Sequence, residues 1–259
     1  MATLPVNRYS GAIWWRHAKV WLTMLWSSVA QHVFEPILFL FAFGFGLGAV
    51  IDEMNGVSYL HFVVPGMIAY AAMFSASFES TVSTFARFHM QRTWDAQLAT
   101  PVTLTELLLG ELMWSATKGM IGACSVFIVG ALWAGLPAPG NALLAMILVA
   151  IGAMGFAACG LLATSFAKSW QLFSYFFTFW VTPMFLFSGT FFTVDRFPDV
   201  IQWLAWILPA THLIAVIRPL MLDLELNPLL AFGHVAFLIA AVVIPFLIAR
   251  RQFAKRLFD

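Results

Sequence analysis

The sequence predicts an all-α integral membrane protein. It would have six transmembrane helices, an amphipathic helix ahead of the first, a short polar helix after the second and a re-entrant helical hairpin before the sixth. Two observations lead there. Of the 259 residues, 62% are hydrophobic and 10% charged, against roughly 25% charged in an average soluble domain. The polar residues are gathered into short segments between apolar stretches, and those stretches approach the roughly 20 residues that a spanning helix needs.

Residues 1–28 form the first unit. In "SGAIWWRHAKVWLTMLWSSV", Trp14, Ala18, Trp21 and Leu25 share one helical face, and Arg16, Lys19, Thr23 and Ser27 share another. Tryptophan mixed with basic residues suits a helix lying flat at the membrane surface; a slanted start to the first span is the alternative. Arg8, Arg16 and Lys19 interrupt this region before any clean apolar core, so it does not read as a cleaved signal peptide.

The transmembrane region covers 29–250, with spans at about 29–50, 60–86, 106–133, 140–166, 171–190 and 228–249, and a basic tail at 251–259. Basic residues collect on one side: Arg8, Arg16, Lys19, Arg87, Arg92, Lys168, Arg250, Arg251, Lys255 and Arg256. Asp52, Glu53, Asp195, Asp199, Asp223 and Glu225 fall on the other, with Arg196 and Arg218. The first side is therefore expected to be cytoplasmic and to carry both termini.

Between the second and third spans lies "RFHMQRTWDAQLATPVT", Arg87 to Thr103. It is too long for a tight turn and too polar to insert. Residues 88–100 predict a short helix that Pro101 ends, with Trp94 and Leu98 one turn apart as an apolar knob for a docking partner; a solvated loop-helix with no partner is the alternative. If the flanking spans are antiparallel about residues 98–99, Glu79 lies level with Lys118, and Arg87 with Glu111. Intramembrane charges are costly unless paired or wetted, so both pairs are expected to form. The other reading has Lys118 reaching to the surface and Glu79 facing a wet cavity.

After the fifth span, Asp195 is a plausible helix cap, Pro198 fits an early helical position and Pro209 breaks the chain before Arg218-Pro219. Two half-length apolar helices within 196–222 predict a hairpin dipping into the outer leaflet, where its backbone must be covered by protein or water.

Together these pieces resemble the permease subunits of ABC-2 type exporters over nearly the whole chain. The most specific stretches are "LATPVT" (Leu98–Thr103) and "FSGTFF…FP…LAWILPATHLIAVIRPLM". Within that family the chain is most similar to the nodulation-type and daunorubicin-type permeases. The resemblance implies a cytoplasmic interface helix at the N-terminus and a coupling helix at 88–100, which brings Arg92, Trp94, Asp95, Leu98 and Pro101 to a motor. It also implies an outer hairpin at 196–222 and placement in a bacterial inner membrane. The expected partners are a separate cytoplasmic ABC ATPase in two copies, a second copy of this chain and membrane lipid. The expected cargo is amphipathic: a lipo-oligosaccharide, a lipid-linked glycan or a hydrophobic drug. No cofactor is expected in this chain, and ATP and Mg belong to the partner. The sequence is consistent with that division, because it holds no G-x-x-x-x-G-K-[ST] phosphate loop.

Aromatic residues crowd the first and fifth spans, and Phe39, Phe43, Tyr175, Phe176, Phe179, Trp180 and Phe187 are the candidates for a substrate path, with lipid-facing filler as the other reading of each. His32 and Glu35 are placed to share a helix face near the start of the first span. Gly44, Gly46 and Gly48 suit close packing or bending. Other classes are less well supported. The six histidines are scattered, with no His-Glu-x-x-His or Gly-x-Ser-x-Gly motif for an enzyme. Cys124 and Cys159 read as buried small residues, and a net charge of +1 gives no reason to expect nucleic acid. A stand-alone carrier or channel would have to work through Glu79.

Overall fold

The computed structural model describes residues 9–24, 30–135 and 139–258. Arg8, Leu25, Ser27 and the His32 side chain lie outside the described residues.

The first helix, α1 (Ser10–Thr23), buries Ser10, Ile13, His17 and Ala18, and leaves Arg16, Lys19 and Thr23 exposed. The buried stripe is centred on Ile13 and His17 rather than on Trp14 and Trp21, because this face packs against a neighbouring helix. A wide π-helical turn, Ala30–Phe34, leads into α2 (Glu35–Gly46). At 12 residues α2 is too short to cross a bilayer by itself. Strands β1 (Glu53–Met54) and β2 (Val57–Ser58) pair antiparallel, with Glu53 opposite Ser58 and Met54 opposite Val57.

The long helix α3 (Tyr59–Met90) follows, then the short α4 (Thr93–Leu98), α5 (Leu104–Ala134) and α6 (Pro139–Phe166). Next come α7 (Gln171–Phe187), α8 (Asp199–Ala205), α9 (Pro209–Met221) and α10 (Pro228–Phe258). Among the described residues, α3, α5, α6 and α10 are the four helices long and apolar enough to cross a membrane. The fold is thus an all-α membrane bundle. Its last helix runs past the predicted boundary at 249 to Phe258, so residues 251–258 continue the helix instead of forming a separate tail.

The core is built around α3. Of its most apolar stretch, 83% is buried inside the chain, against 6% for that of α10. The composition explains the difference. The inner half of α3 carries Ala69, Ala71, Ala72, Ser75, Ala76 and Ser77, all buried, and small residues let helix backbones approach closely. The α10 face is studded with exposed Phe232, Ile239, Ile244 and Leu247, side chains at home against lipid.

The hairpin bends by 86° between α8 and α9. Pro209 opens α9 at a position where its missing N–H costs nothing. The break is satisfied locally: Thr211 Oγ1 donates to the Ala205 carbonyl at 2.6 Å, and His212 Nε2 lies 2.9 Å from the Trp206 carbonyl. His212 Nδ1 in turn meets His234 Nδ1 of α10 at 2.9 Å, latching the hairpin to the last helix. Asp195 is not the cap that the sequence suggested. It lies in a single turn, Val194–Arg196, and the helix starts after Pro198. Arg218 at the end of α9 stacks on Phe62, 3.8 Å from the ring centroid, and donates to the carbonyls of Phe62 and Gly189 at 3.2 and 2.6 Å. Gly189, at φ +89°, makes the turn that brings its carbonyl there.

Gly119 of α5 shows how tight the core is. A Cβ there would sit 2.8 Å from the Ala72 carbonyl oxygen and 3.1 Å from Ala153 Cβ, so α3, α5 and α6 meet over its missing side chain. Gly119→Ile is expected to cost about 1–3 kcal/mol or more by overpacking, read as a lowered melting temperature of the purified protein in detergent. Gly46→Ala, where nothing lies within 4 Å of the added Cβ, should leave it unchanged.

Candidate functional site

The last turns of α3 are wound wider than an α-helix, over Glu79–Ser83 and again over Ala86–Met90. Thr84 Oγ1 reaches the Glu79 carbonyl, and Gln91 N–H donates to the Ala86 carbonyl five residues back. In a regular helix of ~100° per residue, Glu79 and Arg87 would stand about 80° out of line. The widened turns remove roughly that offset.

Arg87 therefore lies between two carboxylates. Its Nη1 donates to Glu79 Oε1 at 2.7 Å, and its Nη2 and Nε donate to Glu111 Oε2 and Oε1 at 2.6 and 3.2 Å. Glu111 is fully buried on α5. Its Oε1 also accepts from the Trp94 indole N–H at 3.0 Å and lies 3.3 Å from His17 Nε2. Glu79 Oε1 accepts from the Trp114 indole N–H at 3.0 Å. One network thus gathers α1 through His17, α3 through Glu79 and Arg87, α4 through Trp94, and α5 through Glu111 and Trp114. Each charged side chain in it has an oppositely charged partner, which is the condition for burying ions at all.

Arg87 meets Glu111, but the structure does not bring Glu79 to Lys118. Glu79 goes to Arg87 and Trp114 instead, because the widened turns swing it onto Arg87's face. Lys118 Nζ stands 5.2 and 6.0 Å from the ring centroids of Trp21 and Trp114.

Trp94 overturns the expectation of an apolar docking knob. It is 0% exposed, packed 5.0 Å from Phe88 and 4.9 Å from Phe253 by ring centroids. The helix propensity of the segment was legible, but the face it presents was not: the bundle's own network claims the indole. Leu98 is half-buried against the same core. The outer face of α4 carries Arg92 and Asp95, side chains 76% and 47% exposed and joined at 2.8 Å, with Ala96 and then Ala99, Thr100 and Pro101 also exposed. Arg92 adopts φ +51°, the left-handed turn by which the chain leaves α3 and starts α4.

Several members escaped the sequence reading. His17 and Trp114 gave no charge-pair signal, although His17 falls on the buried stripe of α1. Glu106 closes a capping box, its Oε2 accepting from Thr103 N–H at 2.9 Å while Thr103 Oγ1 accepts from Glu106 N–H at 3.3 Å. The Thr-x-x-Glu pattern before an apolar run was the available signal. Arg256 of α10 donates to the Ser165 carbonyl at 3.0 Å, a cation at the C-terminal end of α6.

The path candidates split into groups. Phe39 and Phe43 stack on each other at 5.9 Å, and Phe185 of α7 lies 5.7 Å from Phe39 and 4.1 Å from Tyr70. Tyr70 O–H points to Glu35 Oε1 at 3.4 Å, so Glu35 faces α3. Tyr175 and Phe179 form a separate exposed pair at 6.3 Å. Phe176 and Trp180 are half-buried, and Phe187 meets Phe197 at 5.5 Å. No single surface holds all seven.

Against known proteins, the family profile described as ABC-2 type transporter matches residues 10–222. Nodulation protein J of Rhizobium meliloti (strain 1021) is 36% identical, covering 99% of this chain and 97% of its own length. Nodulation protein J of Sinorhizobium fredii (strain NBRC 101917 / NGR234) is 35% identical over 100% of this chain and 98% of its own. The inner membrane transport permease YadH of Escherichia coli (strain K12) is 26% identical over 87% and 86%.

Replacing Arg87 by Met strands two buried carboxylates and should cost about 3–5 kcal/mol, read by thermal unfolding of the purified chain. Adding Glu79→Gln and Glu111→Gln should recover most of that loss. Reversing one pair, Arg87→Glu with Glu111→Arg, should not, because the new carboxylate would face Glu79.

Proposed function

The chain belongs to the ABC-2 type transporter family, and from that premise we propose that it is the permease subunit of an ATP-driven exporter. The cargo is an amphipathic molecule of the lipo-oligosaccharide, lipid-linked glycan or hydrophobic-drug kind. The resemblance to nodulation-type permeases favours a lipo-oligosaccharide or glycolipid. The chain is a transport subunit; ATP and Mg are bound and turned over on a separate cytoplasmic ATPase. Two ATPases serve two permeases, the second being another copy of this chain. In this reading the membrane is a bacterial inner membrane, crossed six times, with α2 and α7 completing two of the spans. Both termini, α4 and the basic end of α10 are cytoplasmic, as the charge asymmetry favours.

One observation carries the proposal: α4 is exposed on one side and fused to the bundle's buried ion network on the other. An ATPase pressing on Arg92, Asp95 and Ala96 moves Trp94. Trp94 is bonded to Glu111, and through Arg87 the displacement reaches α3, α5 and α1 together. The permease contributes a change in cargo affinity between two arrangements of these helices and no covalent chemistry. A stand-alone carrier is the weaker reading, since Glu79 is already committed to Arg87 and Trp114.

Native mass spectrometry of the chain co-expressed with its ATPase should find a 2:2 assembly. Asp95→Arg and Ala96→Trp change only exposed positions, where substitutions usually stay within about 0.5 kcal/mol. Each should lower co-purified ATPase about tenfold or more with the melting temperature unchanged. Trp94→Phe keeps the packing and loses the N–H; it should leave the assembly intact while reducing export per ATP hydrolysed. Export without ATP, or surface variants that still hold the ATPase, would remove the proposal.

A further inference from the structure

Between α1, α3 and α5 opens a cleft of about 370 Å³. Arg16, His17, Trp21, Glu79, Arg87 and Lys118 form its polar wall, and Val20, Met24, Phe78 and Val82 its apolar one. Lys118 is the buried cation in it that the ion network does not use. Helical side chains lean toward the N-terminal end of their helix, so the lysine points back over Trp114, one turn earlier, and reaches Trp21. It is 3% exposed, and no carboxylate of the described residues comes within 4 Å of its ammonium. Beside it the Trp21 indole N–H is buried without a hydrogen-bond partner among the described residues.

A buried donor without a partner costs free energy, and so does a buried ammonium. Here both belong to one cleft. The fixed charges of the wall and of the network behind it do not cancel: Arg16, Arg87 and Lys118 stand against Glu79 and Glu111, leaving one positive charge over. A group bearing a single negative charge and several acceptor oxygens would satisfy the lysine, the indole and the balance together. The apolar wall continues from this point along α1 and α3.

We propose that the cleft holds the phosphate of an anionic amphiphile, with Lys118 and the Trp21 N–H on its oxygens and its acyl chain along Val20, Met24 and Val82. This goes beyond the exporter reading and requires neither an ATPase nor transported cargo.

The test uses the purified full-length chain, titrated with phosphatidylglycerol or phosphatidylcholine and read by native mass spectrometry. Wild type should retain phosphatidylglycerol in preference. Lys118→Met should weaken that retention about tenfold or more, and Lys118→Arg should keep it. Trp21→Phe, which preserves the ring and removes the N–H, should give a smaller loss. Lys168→Met, at an exposed lysine outside the cleft, should have no effect. If millimolar inorganic phosphate displaces the lipid, the site takes free phosphate as well; if it does not, the acyl chain on the apolar wall is required. Both results keep the anion site. Equal retention of the two lipids by wild type, or full retention by Lys118→Met, overturns it. Loss of the lipid preference leaves ATPase association untouched, and failure of that association leaves the lipid result standing.

Discussion

A guanidinium held between two buried carboxylates governs the arrangement of the whole connector end. Arg87 neutralises Glu79 from its own helix and Glu111 from the next. In a low-dielectric interior such charges are tolerable only when each has a partner with good geometry. That requirement fixes more than a pair. Glu111 Oε1 also accepts from the Trp94 indole and Glu79 Oε1 from the Trp114 indole, and His17 approaches Glu111 from α1. The polar groups that make the site expensive also make it specific, since a shift of any one helix would leave an ion or a donor without its partner.

The backbone is adapted to that constraint. The widened turns of α3 bring Glu79 and Arg87 onto one face, and the left-handed Arg92 starts the short α4 at the angle that sends Trp94 inward. The capping box at Thr103 and Glu106 then restarts the chain as α5. Tyr9 N–H donates to Glu106 Oε1 at 3.3 Å, so the same residue that caps α5 also anchors the start of α1. At the opposite end no acid–base pair does this work among the described residues. There Arg218 is held by backbone carbonyls and a phenyl ring, and the hairpin is tied to α10 through two imidazoles. The connector end is thus organised by ions and the other by neutral dipoles and aromatic faces. A displacement applied at α4 meets a strongly coupled group of helices rather than a loose surface.

Burial also separates roles among helices of similar apolar character. The small side chains of α3 let α5 and α6 close over it, while the bulky face of α10 stays exposed. The aromatic residues divide the same way. Phe39 and Phe43 belong to a packed cluster with Tyr70 and Phe185, whereas Tyr175 and Phe179 lie on the outside. Their density in the sequence was plain, but density does not state direction, and rings suited to packing are equally suited to lipid.

By itself the sequence determined the features that depend on composition and local chemistry. Its apolar stretches required a helical membrane bundle, its prolines placed the hairpin break at Pro209, and its polar interruption at Arg87–Thr103 placed the connector. Depth matching across that connector was enough to set Arg87 beside Glu111, since depth depends only on residue count along two antiparallel helices. Only the tertiary structure decided which residues face each other at a given depth. A widened turn rotates every residue after it, so Glu79 meets Arg87 and not Lys118. Trp94, apolar and one turn from Leu98, had the pattern of an outward knob, yet Glu111 on another helix offered its N–H a buried acceptor. Rotation about a helix axis and the capture of one side chain by a distant partner are properties of the packed bundle. No spacing rule along a single helix contains them.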